Sequence, residues 1–175
     1  RFGGTPVTKD GDTVVLPSDA TALKVVVTKE GVAFVDVATN KYLATTEKGN
    51  TLFYQDELNS GALWILEQAE GGWLIKSVAS KDASKPQYIE WYSSKKDFTT
   101  YGYNEKYKDA YLANFYPVTG TDPIDPIDDT LPFKDGDTVA IVTADTALNA
   151  TVVSSKYLGG TPVTKDGDKV VIPSD

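Results

Sequence analysis

The chain has 175 residues, enough for one domain of ordinary size plus a linker, and at 41% hydrophobic residues it can bury a core. Its net charge of −8 counts against nucleic acid and anionic membrane as partners, because both need clustered Lys and Arg. With no Cys and no His, disulfide frameworks, thiolate chemistry, Cys-based metal sites and Ser-His-Asp nucleophilic machinery are excluded.

Alternation of apolar and polar residues over four to eight positions, bounded by Gly, Asn, Asp or Pro, fits the chain far better than a 3.6-residue period. In chain order this predicts strands over 13–16, 23–28, 33–37, 52–54, 64–68, 73–78, 87–92, 98–101, 111–116 and 138–142, with one short helix over 56–62. Asp10-Gly11, Lys29-Glu30-Gly31, Glu70-Gly71-Gly72 and Asp135-Gly136 are hairpin turns by composition. The run over 62–78 is a hairpin that places Trp64, Leu66, Trp73 and Ile75 on one face. Many short strands at this spacing indicate an all-β fold, either a closed barrel or a sandwich. The reading favours the closed barrel, a β-trefoil being one form of it, with an immunoglobulin-like β-sandwich as the alternative. Three units of comparable length support a trefoil: 133–175 with 20–24, then 25–64, then 65–117. The last two carry related short strands, Lys41-Tyr42-Leu43 and Gln87-Tyr88-Ile89.

Self-similarity is the strongest signal. Residues 1–19 and 157–175 are identical at fifteen of nineteen positions at an offset of 156; the differences are Arg1/Tyr157, Phe2/Leu158, Thr13/Lys169 and Leu16/Ile172. A weaker match, ten of twenty positions, joins 134–153 to 9–28. Residues 119–132 hold three Pro and four Asp with no strand or helix periodicity, as an extended spacer would. The expected organisation is therefore 1–118 as the main part of one β-module, 119–132 as linker, and 133–175 as the start of the next tandem copy. That last part completes the fold in cis or by swapping between chains. Absence of Met leads to the further expectation of an interior piece of a longer protein. The segments FKDGDTVAIV (133–142), GGTPVTKDGDKVVIPSD (159–175), NKYLATT (40–46), ALWILEQAEGGWLIKSV (62–78), PQYIEWYSS (86–94) and FTTYGY with AYLANFYPV (98–118) follow one another in an order that resembles a family of accessory modules. Those modules occur in large secreted or surface proteins of Gram-positive gut anaerobes, sometimes beside nuclease or phosphoesterase domains. The resemblance implies a tandemly repeated, non-catalytic module and carries over no catalytic residue.

The candidate chemistry is sparse. Asp-Gly-Asp at 10–12, 135–137 and 166–168 lacks the further ligands and distal Glu of a calcium loop and reads as turns. No metal and no cofactor are expected. Aromatic residues crowd 88–116, and on strand 87–92 Tyr88, Glu90 and Tyr92 share one face while Ile89 and Trp91 share the other. If the core takes Ile89 and Trp91, then Tyr88, Glu90 and Tyr92 stand near solvent, with Tyr101 and Tyr103 on an adjacent strand. That is a platform on which a sugar ring stacks; the alternative is that these rings fill the core. The expected function is a non-catalytic repeat module of a secreted or cell-surface protein, acting as spacer or adhesive unit. Its partners are then neighbouring copies, a swapped homo-oligomer or a glycan, with no nucleic acid and no membrane insertion. A carbohydrate-binding module is the alternative, and a carboxylate-pair glycoside hydrolase the lesser one.

Overall fold

The computed structural model describes residues 2–10, 13–118, 131–143, 149–153, 164–166 and 169–171. Among these, the strands in chain order are β1 (Phe2–Pro6), β2 (Thr8–Asp10), β3 (Thr13–Val15), β4 (Leu23–Val27), β5 (Val32–Asp36), β6 (Lys41–Ala44), β7 (Phe53–Gln55) and β8 (Trp64–Ala69). They continue with β9 (Gly72–Ser77), β10 (Gln87–Tyr92), β11 (Asp97–Gly102), β12 (Leu112–Pro117), β13 (Thr138–Thr143), β14 (Asn149–Val153), β15 (Thr164–Asp166) and β16 (Lys169–Val171).

Six of them close an antiparallel barrel. β4 pairs with β5, β5 with β8, β8 with β9, β9 with β12, β12 with β13, and β13 returns to β4 through Thr138↔Lys24 and Val139↔Leu23. Within this ring every strand is paired on both sides, and the ring leaves the sandwich alternative without two facing sheets. Three further strand pairs extend from it: β6–β7 from β5, β10–β11 from β9, and β14–β1 from β13. These pairs touch one another in turn. The Phe2 ring lies 5.0 Å from Tyr54, β1 pairs with β11 through Phe2↔Phe98, and Thr45 Oγ1 lies 3.0 Å from Thr100 Oγ1. The fold is a closed six-strand antiparallel barrel with three further strand pairs that contact one another.

The alternating pattern explains the core. Leu23, Val25, Val139 and Ile141 point inward from β4 and β13 and join Phe34, Trp64 and Ile75 in one buried cluster. Burying each such side chain contributes about 1.5–3 kcal/mol. β5 does not alternate and is buried along its whole length, because its second face, at Ala33, is covered by Leu63 and Val78. The Trp64 indole N–H donates to Leu43 O at 3.1 Å, tying barrel to hairpin inside the core. Phe133, just past the linker, is buried against the rings of Phe34 and Phe115.

The turns follow their composition. Gly71, at φ +91°, forms the two-residue turn of the β8–β9 hairpin, and register pairs 66↔75 and 68↔73 set Leu66, Ile75 and Trp73 on the face of Trp64. At 135–137 the carboxylates serve the backbone: Lys134 N–H donates to Asp137 Oδ2 (2.8 Å) and Val27 N–H to Asp135 Oδ1 (2.9 Å). The expected helix over 56–62 is a single 3-10 turn, Ser60–Ala62. Asn59 Oδ1 accepts from Gly61 N–H, and Leu63 is already extended. The one short α-helix among the described residues is instead α1, Lys108–Tyr111, so β12 begins only at Leu112. Of the linker 119–132 only its last two residues are described, and of the second repeat copy only β15 and β16.

Candidate functional site

The β10–β11 hairpin carries the candidate residues. Its register, Tyr88↔Tyr101, Glu90↔Thr99 and Tyr92↔Asp97, follows from a four-residue turn, 93–96, in which Lys96 takes φ +52°. Ile89, Trp91 and Phe98 point into the core, as the alternation requires. The other face divides into two regions of different character.

Toward the Tyr88 end the face is covered, and this corrects the expectation that Tyr88 and Glu90 stand near solvent. Both are buried. α1 packs over β10 with its own Tyr111 buried, a cover that strand alternation alone does not reveal. The rings of Tyr103 and Tyr111 lie 5.2 Å apart, and Tyr103 lies 5.7 Å from Tyr88. The polar groups beneath are partnered, as burial demands. The Tyr88 hydroxyl donates to Glu67 Oε2 (3.1 Å), Lys76 Nζ to Glu67 Oε1 (3.0 Å), Tyr103 to Glu105 (2.8 Å) and Tyr111 to Gly102 O (3.1 Å). Burial holds the Glu90 carboxyl above its ordinary value of 4.5, opposed by a hydrogen bond with Tyr111. The Tyr111 hydroxyl is pushed up in turn, by burial first and then by Glu90. This end is a polar seam holding the 103–111 segment to the hairpin.

The other region is open. Tyr92 and Tyr101 are 40% and 43% exposed, and their rings stack at 6.5 Å and 27°. Lys95 Nζ sits 5.5 Å from the Tyr92 ring centre, a cation–π contact. Beside the pair opens a hollow of about 300 Å³ with Phe2 and Leu52 in its wall and Asn50, Lys95, Asp97 and Thr99 around it. Thr99 Oγ1 donates to Asn50 O (2.5 Å) and Thr100 Oγ1 to Gly49 O (3.0 Å), which fixes the loop before β7 against β11. Of the five sequence-predicted residues, the structure brings Tyr92 and Tyr101 together at this hollow and places Tyr88, Glu90 and Tyr103 in the seam.

Asp97 and Lys95 were legible in principle, since pairing 87–92 with 98–101 through a short turn sets them beside Tyr92. Asn50 and Phe2 arrive from distant elements, and no local pattern points to them. Among the described residues no group of three acidic, His or Cys side chains could hold a metal ion, and no helix is long and apolar enough to cross a membrane. No family model matches the chain, and no curated protein matches it in sequence.

Proposed function

We infer that this chain is a non-catalytic binding module of a secreted or cell-surface protein, and that the shelf formed by Tyr92 and Tyr101 takes a sugar ring. One observation carries the reading: two large aromatic rings stacked on each other and exposed to solvent beside a hollow edged with amide, hydroxyl and charged groups. Water leaves an exposed aromatic face at a gain, and the apolar face of a pyranose is the matching surface, with Asn50, Asp97 and Thr99 near enough to meet its hydroxyls. Two of the strand-borne acids are engaged inside the fold, which supports a non-catalytic reading. Glu67 is bonded to Lys76 and Tyr88, and Glu90 lies buried against Tyr111 under α1. The repeat of 1–19 at 157–175 favours a second component of the same reading, in which adjoining copies make the module an adhesive or spacing unit in a tandem array.

An array of immobilised hexose and N-acetylhexosamine oligosaccharides tests the proposal. Retention of the wild-type chain on at least one glycan, weakened with Tyr101→Ala, is the expected result. No retention on any of them, or equal retention of wild type and variant, would overturn it.

A further inference from the structure

β1 is a strand borrowed from the far end of the chain. It lies between β14 and β11, with Phe2↔Val153, Gly3↔Val152, Gly4↔Thr151, Thr5↔Ala150 and Pro6↔Asn149 on one side and Phe2↔Phe98 and Gly3↔Asp97 on the other. Phe2 anchors it, buried in the main core against Tyr54. Directly after β14 the sequence offers a near-duplicate: residues 158–162 read LGGTP where 2–6 read FGGTP. Displacing the register by 156 sets Leu158 opposite Val153 and Pro162 opposite Asn149, which leaves residues 154–157 as the connection. A four-residue loop is a common hairpin closure.

The flanks agree independently. β2–β3 pairs Thr8↔Val15, Lys9↔Val14 and Asp10↔Thr13, and β15–β16 pairs Thr164↔Val171, Lys165↔Val170 and Asp166↔Lys169. Each partner is shifted by 156, so the two copies fold into the same small hairpin, one directly behind β1 and the other directly behind 158–162.

We propose that the slot between β14 and β11 is an exchange site whose second occupant is residues 158–162 of the same chain, folding back on β14 and releasing the N-terminal strand. Two effects oppose each other in the choice of occupant. Phe2 buries more apolar surface than Leu158, while the local strand closes a far shorter loop and so loses less chain entropy. The exchange also replaces Phe2 by Leu158 in the wall of the hollow beside Tyr92 and Tyr101, so the strand in place shapes that surface.

The test uses the full-length chain carrying Phe2→Asp, Leu158→Asp or both, followed by thermal melts and size-exclusion chromatography. A buried Asp expels whichever strand carries it. Each single variant is expected to elute as a monomer and to melt within about 5 °C of wild type, while the double variant melts about 15 °C lower or more. Phe2→Asp melting as low as the double variant would overturn the exchange. A wild-type-like double variant would show that the slot needs no occupant, with the same consequence. A dimer of Phe2→Asp that keeps the wild-type melting point would put the second strand on another molecule and overturn the intramolecular assignment. None of these readouts involves sugar, so they fail or succeed separately from the binding proposal.

Discussion

Removing the ring of Tyr92 or Tyr101 should weaken glycan binding by an amount set by the exposed area. A Tyr side chain presents about 200 Å²; at 40% and 43% exposure each ring leaves roughly 80 Å² to solvent. A sugar covers one face, about half of that, and at about 25 cal/mol per Å² the loss is about 1 kcal/mol per ring. Each Ala substitution should thus raise Kd about fivefold, and Tyr92→Ala/Tyr101→Ala together about thirtyfold. Stability should change little, because what is lost is one exposed stack and the Lys95 contact, worth about 0.5–1 kcal/mol. Titration calorimetry with an oligosaccharide retained on the array gives the Kd values, and thermal melts check the fold. Tyr92→Phe keeps the ring and should keep most of the affinity. If Tyr92→Phe loses as much as Tyr92→Ala, the hydroxyl and not the ring is the contact, and the stacking argument is refuted.

Three further perturbations probe the framework. Trp64→Phe removes the indole N–H that reaches Leu43 O inside the core and leaves a void, so urea unfolding should show a loss of about 2–4 kcal/mol. Glu90 binds its proton more tightly in the folded chain than in the unfolded one. Its contribution is therefore complete below the ordinary carboxylate value and is lost as pH rises through the elevated folded one. Glu90→Gln should match wild type in acid and exceed it at neutral and higher pH; a difference in Tm that does not vary with pH would contradict this. Gly31→Ala would set a Cβ 2.6 Å from Trp64 O at φ +151°, whereas at Gly136, φ +90°, nothing lies within 4 Å. Gly136→Ala should cost only the backbone strain of about 1–2 kcal/mol, and Gly31→Ala at least twice that by chemical denaturation.

The hairpins show what local sequence can carry. In 62–78 the turn glycines and the alternation of Trp64, Leu66, Trp73 and Ile75 predict the pair, its face and nearly its register, because all of these are properties of neighbouring residues. The same holds for strand 87–92 and its inward Ile89 and Trp91. The failure at Tyr88 and Glu90 has a definite cause. Period-two alternation assigns a side chain to a face, but what covers that face comes from elsewhere, and here it is the 103–111 segment. A helical turn of four residues has too little periodicity to be seen against a strand-rich background.

Alternation and turn composition by themselves determined that the chain is all-β, the lack of Cys and His removed their chemistry, and self-comparison showed a segment present twice; that the strands close into a barrel and not a sandwich was decided by the pairing of β13 with β4. Tertiary structure alone decided which aromatics remain in water, since exposure depends on packing between elements far apart in the chain. It likewise brought Phe2 and Asn50 to the hollow beside Tyr92 and Tyr101, and it set β1 between β14 and β11, because contacts between residues so far apart in the chain exist only once the barrel has formed.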